Sequence, residues 1–321
     1  MANTVLSHAA FCRAQNFLET QARPLELAQF RFHFRAASAG PVLAALASHQ
    51  NEDGGFGHGL EPDFRAPESS ALCTSIAFQI LRSLQVPPET KLLTRGLDYL
   101  VQTVDRDNAH WPIIPRSATP SPHAPWWDRK GSENEPEAFS LNPTAEILGY
   151  LYNYADRIPD DLIPLISQRV LDEISGLESI EMHDLLCCLR LLRTKALPAD
   201  LKDTLVQKLS QLIDGAVNWQ PDAWSGYSLR PLQVIDSPDS TLIRDREEAV
   251  VANLAYEIAE QNQEGAWTPT WDWGDTFPEA WEVARREWSG VLTLDRLLLL
   301  QRFQRIDRYQ RSCTVPNQAG N

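Results

Sequence analysis

Leu72, Ile76, Ile80, Leu81 and Leu84 recur close to every 3.6 residues, and that spacing predicts a helix with one apolar face. The same stripe returns in Leu93-Leu97-Leu100, Ile147-Leu148-Leu151, Leu162-Ile166-Val170-Ile174 and Leu185-Leu186-Leu189-Leu192. It continues in Leu201-Leu205-Leu209-Leu212, Val250-Leu254-Ile258 and Leu294-Leu297-Leu298. Runs that alternate polar with β-branched or aromatic residues are nearly absent, so the pattern predicts an all-α fold. Prolines and capping residues mark the joints: Pro87-Pro88, Asn142-Pro143-Thr144, Pro159-Asp160-Asp161 and Pro198-Ala199-Asp200 each read as a helix start. The count is about twelve helices, roughly 10 to 20 residues each, with mostly short connections. Such an even set of antiparallel helices stacks as hairpins, in an open solenoid or a closed α/α barrel.

Two connections exceed what a joint needs. Asn108 to Leu141 is rich in proline, and Gly215 to Ser240 holds Trp219, Trp224, Tyr227 and Pro231. Long loops in a compact fold are often functional, and these two read as rim loops. Helical periodicity resumes beyond each, so residues 1–310 read as one domain, with 311–321 as a disordered tail.

A degenerate repeat ties helix ends to turns. Gln50-Asn51-Glu52-Asp53-Gly54-Gly55-Phe56 and Gln261-Asn262-Gln263-Glu264-Gly265-Ala266-Trp267 share Gln, three residues, Gly, one residue and an aromatic ring. A decayed copy leads from Arg95-Gly96 and Tyr99-Leu100 to Ala109 and Trp111 in the Gly and aromatic places. Each follows an apolar helix whose last carbonyls need partners; Gly adopts the left-handed cap, a Gln amide bonds nearby backbone, and the ring packs on the turn.

Charge and cysteine content narrow the partners. The 321 residues carry 29 Lys and Arg against 43 Asp and Glu, a formal charge of -14, and no basic patch offsets it, which excludes nucleic acid as the main partner. No apolar run reaches the ~18 to 20 residues of a membrane span. The start lacks a basic region followed by an apolar block, so no secretory signal is expected. Five cysteines, two of them adjacent, make a poor disulfide framework and a poor zinc set, which points to the cytoplasm. No metal site and no cofactor motif is evident.

The Gln-Gly-aromatic pattern resembles the QW repeat of the terpenoid cyclase and protein prenyltransferase superfamily. Residues 50–65 (QNEDGGFGHGLEPDFR), with Pro125-Trp126-Trp127, Asn142-Pro143-Thr144-Ala145, Glu287-Trp288 and Leu294-Asp295, are similar to small bacterial prenyltransferase and squalene oxidase repeat proteins. The resemblance implies an α/α toroid of about six antiparallel hairpins, and a small hydrophobic, isoprenoid-type ligand in its centre. It does not bring a reaction with it. The Asp-x-Asp-Asp acid motif, the Asp-Asp-x-x-Asp magnesium motif and the prenyltransferase zinc pattern around Cys187-Cys188 are all missing.

Candidate chemistry gathers in two places. His58-Gly59-Leu60-Glu61-Pro62-Asp63 offers a general acid in Glu61 or Asp63 with His58 as partner, or else a set of helix caps tied through Arg65. All ten tryptophans follow residue 110, and Trp126, Trp127, Trp224, Trp271 and Trp273 sit in loops where their faces can line a ligand mouth. Their other role is to lock loops onto helix ends. Asp272, paired across that mouth with Glu61 or Asp63, would supply the two carboxylates of glycoside cleavage. The leading function is an isoprenoid binder or enzyme using acid-initiated chemistry; the alternatives are a carbohydrate-active α/α barrel hydrolase or lyase and a noncatalytic scaffold.

Overall fold

Helix caps and proline positions set the element boundaries in the computed structural model, which describes residues 4–115, 120–128 and 138–307. Arg129, Lys130, Cys313 and the expected tail at 311–321 lie outside the described residues. Among the described residues twelve α-helices follow one another: α1 (His8–Thr20), α2 (Pro24–Arg35), α3 (Gly40–Ala47), α4 (Ala71–Ser83), α5 (Lys91–Thr103) and α6 (Leu141–Asn153). Then come α7 (Leu162–Gly176), α8 (Met182–Leu192), α9 (Ala199–Ala216), the short α10 (Pro231–Val234), α11 (Glu247–Ala259) and α12 (Pro278–Arg302). Among the described residues the only β structure is isolated bridges, so the chain is all-α.

Side-chain caps begin α1, α4, α6 and α8: Ser7, Ser70, Ser140 and Glu181 each accept a backbone N–H of the first turn. Two expected starts move. Pro88 lies before α5, whose N-cap is Thr90, and Asn142 is not the cap of α6 but a non-helical residue inside its first turn. The Asn142 N–H is held by Ser140 Oγ at 3.1 Å and by Asp184 Oδ1 at 2.8 Å, so a partner from α8 outcompetes local helix geometry. Helix α12 is longer than its leucine stripe, because buried Trp281 and Ala284 anchor its charged first half.

One core cluster runs from Leu6 to Leu300. Helix α6 packs on α4, α7 and α8; α8 packs on α9 and α10; α2 packs on α1, α3 and α12. Side-chain pairs fix the directions. At one end, Arg23 before α2 donates to the Leu60 carbonyl at 3.3 Å, and Cys73 in the first turn of α4 lies against Glu61. Asn142 of α6 meets Asp184 of α8 at that same end of the pair. At the other end, Arg193 at the C-cap of α8 and Arg302 in the last turn of α12 share the Asp236 carboxylate at 2.9 and 2.7 Å. Helices α2, α4, α6, α8 and α12 therefore run in one direction.

The repeat forms three equivalent staples. Gly54, Ala109 and Gly265 all have positive φ, at 91°, 53° and 93°. Two residues later, the backbone N–H of Phe56, Trp111 and Trp267 donates to Thr74, Thr144 and Thr293 on α4, α6 and α12. The Trp111 and Trp267 indoles cap the preceding helices at the Leu100 and Glu257 carbonyls, at 2.8 and 2.7 Å. Gln50 Nε2 bonds the Gly54 and Leu92 carbonyls, and Gln261 Nε2 bonds Gly265 and Ala10. In the decayed copy Asp105 occupies the glutamine place and accepts the Asp107 and Asn108 N–H groups.

Cys73, Cys187 and Cys188 are free and buried. Cys12 is disulfide-bonded, which departs from the expectation of unpaired cysteines. Among the described residues no helix is long and apolar enough to cross a membrane.

Candidate functional site

The loop after the first staple turns back over the N-terminal ends of α2 and α4. His58 takes a positive φ of 52°, which lets its N–H reach the Ala66 carbonyl at 2.9 Å and folds residues 59–65 inward. Arg65 N–H bonds the Pro122 carbonyl, and Asp63 accepts the Ala124 N–H through its backbone, so the 120–128 segment lies alongside. Segments 218–230 and 267–277 reach the same place through side chains.

Glu61 and Asp63 are both buried, on residues i and i+2 of this loop, and they have opposite surroundings. Asp63 is saturated: Trp273 Nε1 donates to Oδ1 at 2.8 Å and Trp271 Nε1 to Oδ2 at 3.1 Å. Burial raises its pKa, and the Trp273, Trp288 and Trp271 N–H dipoles pull it back down. The Trp288 N–H also lies close by, buried and without a hydrogen-bond partner. The Glu61 carboxyl makes no hydrogen bond among the described residues. Burial first, and the Asp63 charge second, push it up to about 8 against the pull of Arg23. At neutral pH it is a carboxylic acid, not a carboxylate.

Arg23 and Arg65 brace the loop from below. Arg23 forks onto Glu26 at 2.9 and 2.7 Å and donates to the Gly59 carbonyl at 2.8 Å. Arg65 forks onto Glu287 of α12 at 2.7 and 3.3 Å. Above them sits an aromatic group: Trp271 meets Trp288 edge-on at 5.2 Å and Tyr227 edge-on at 5.4 Å. The Tyr227 ring is 55% exposed, and its hydroxyl lies 2.9 Å from His183 Nε2 in the first turn of α8. Burial and the charges of Glu181, Asp63 and Glu61 push the Tyr227 phenol up to about 12, so it is a neutral donor.

Of the candidates read from sequence, Glu61, Asp63, Trp271 and Trp273 come together here. His58 does not: it is exposed, and Nε2 is tied to Asn51 Oδ1 at 2.8 Å. Asp272 is exposed and caps its own turn, accepting the Gly274 N–H at 2.8 Å. In the extended Trp-Asp-Trp segment alternate side chains face opposite ways, so both rings turn in and the acid turns out. Trp224 is fully buried in its own loop, bonded to the Asn218 carbonyl at 2.7 Å, and serves as a lock. Trp127 packs edge-on against Phe64 at 6.5 Å behind the site, while Trp126 is 49% exposed beside it.

Tyr227, His183, Arg23, Glu287 and Trp288 were not singled out as site residues. Tyr227 and His183 are 44 positions apart, and no local pattern joins them. Among the described residues no group of three His, Cys, Asp or Glu side chains gathers as a metal-ligand set. Compared with known protein families, curated proteins and solved structures, the chain matches none.

Proposed function

We propose that the helices close into an α/α ring that binds a sugar-like ligand at its N-terminal mouth, with Glu61 as the acid. Ring closure is supported by the last staple, in which Gln261 bonds Ala10 in α1 as Gln50 bonds Leu92 in α5. It is also supported by the packing of α12 on both α1 and α2. Asp295 of α12 is exposed, yet burial raises its carboxyl while Arg296, Arg302 and Arg190 pull on it. A side chain that is both solvent-accessible and hemmed in by protein fits the wall of a water-filled hollow.

The observation that carries the functional reading is the buried Glu61 carboxyl, which makes no hydrogen bond among the described residues and lies two positions from the indole-bound Asp63. A carboxyl that keeps its proton to about pH 8 is a weak acid. It suits hydrogen bonding or proton donation to oxygen, whereas a carbon–carbon double bond demands a much stronger acid. Ion pairs are also buried between the helices: Glu146 pairs with Arg190 at 3.0 Å, and Glu257 bridges Arg230 and Arg296 at 3.1 and 2.6 Å. The second reading, an isoprenoid-type ligand, is favoured by the Trp271, Trp288 and Tyr227 rings, whose faces stabilise positive charge.

Tryptophan fluorescence titration separates the two. Neutral and acidic oligosaccharides are expected to shift the emission, and Trp271→Ala to weaken that response at least tenfold. A response to polyprenyl diphosphates alone would install the second reading instead.

A further inference from the structure

In most glycoside hydrolases a neutral acid works with a second, ionised carboxylate across the sugar. Four neighbouring acids are engaged elsewhere, and Glu181 accepts the His183 N–H as the cap of α8. Asp63 is held by two indoles, Glu287 by Arg65, Asp184 by the Asn142 N–H, and Asp272 turns outward onto Gly274. Across Trp271, whose indole bonds Asp63, stands a different pair, the Tyr227 hydroxyl and the His183 imidazole 2.9 Å apart. Tyr227 is carried by a loop that closes on itself through the Asn218 N–H to Leu229 carbonyl bond and is pinned by buried Trp224. Its ring meets Trp271 edge-on at 5.4 Å, and the Trp271 indole bonds Asp63. First turns of α2, α4 and α8 end at this mouth, and their N-terminal dipoles favour a negative ligand group.

We infer that the site cleaves acidic polysaccharides by β-elimination, with His183 as base, Tyr227 as acid and Glu61 holding the uronate carboxylate. This rests on the carbohydrate reading above and names its substrate class. Glu61 keeps its proton and donates a hydrogen bond to the uronate carboxylate, which drains charge from the adjacent carbon. His183 removes the proton from that carbon. The released electron pair forms a carbon–carbon double bond, and the glycosidic carbon–oxygen bond breaks. Tyr227 gives its proton to the departing oxygen. The imidazolium then returns a proton to the phenolate along their hydrogen bond, so both groups are restored. No water, oxidant or reductant is consumed.

The test uses the full chain with polygalacturonate, alginate and hyaluronan, following the ultraviolet absorbance of the unsaturated product and the release of reducing ends. Both signals should rise together on at least one polymer. Tyr227→Phe and His183→Ala should each lower the rate by about 10²–10⁴-fold with an unchanged melting curve, since both side chains are exposed. Glu61→Gln, which still donates a hydrogen bond, should retain more activity than Glu61→Ala. Reducing ends without the absorbance would mean hydrolysis, overturning the elimination while the carbohydrate reading stands. Binding of neutral sugars only, or of polyuronates without product, would do the same. No response to any saccharide would remove both.

Discussion

Glu61 and Asp63 are separated by one residue, yet the fold treats their charges in opposite ways. Asp63 is given indole donors, and Glu61 is given none. Because the folded-state pKa of Glu61 lies near 8, above its ordinary 4.5, the unfolded chain releases that proton first. Stability therefore falls as pH rises between about 4.5 and 8. Glu61→Gln should be more stable than the parent by roughly 3 kcal/mol at pH 7, with the gap closing below about pH 4.5. Denaturant melts at the two pH values measure this, and equal stabilities at pH 7 would contradict it. Asp63→Ala has the opposite sign: it leaves the Trp271 and Trp273 N–H groups without their acceptor and should cost roughly 2–4 kcal/mol at neutral pH. Near-wild-type melting of that variant would mean that the indoles find other partners. The importance of an acid in this loop was legible from composition and burial logic. Which of the two stays neutral was not, because the answer depends on indoles about 210 positions away.

The staple is the element that recurs, and its glycines are required for two separate reasons. A Cβ at Gly54 would lie 2.3 Å from the Arg95 carbonyl oxygen, and one at Gly265 would lie 2.3 Å from the Arg13 carbonyl carbon. Both positions also have φ above 90°. Gly54→Ala and Gly265→Ala should each destabilise by roughly 2–4 kcal/mol, from strain and overlap together. The decayed copy tests the same physics in reverse: Ala109 already bears a side chain at φ 53°, so Ala109→Gly should be neutral or stabilising by up to about 1 kcal/mol. Thermal melts of the three variants should therefore separate by sign. The repeat was readable in sequence because Gly and Gln do local work. The threonines that receive Phe56, Trp111 and Trp267 were not readable, since each lies on another helix at a spacing that varies with loop length.

Across the whole molecule, charge follows helix direction. Arg82, Arg190 and Arg302 lie in the last turns of α4, α8 and α12, where a cation offsets the negative helix end. The acids of the site lie among N-terminal turns, where the dipole favours them. From Glu287 to Arg302 along α12 is roughly 22 Å at 1.5 Å per residue, so the acidic end and the arginine-rich end are well separated. If the ring is closed by Gln261, then Gln261→Ala should speed hydrogen exchange in both α1 and α11 and leave α6 and α8 protected. Faster exchange in α11 alone would argue for an open arrangement. The amino-acid sequence by itself determined the all-α class, most helix spans and the staples, because periodicity, left-handed glycines and caps act over a few residues. Only the tertiary structure decided which acid keeps its proton, that Asp272 and His58 face away, and that Tyr227 meets His183. Those outcomes depend on desolvation and on partners brought together by packing, and neither is written in the spacing of neighbouring residues.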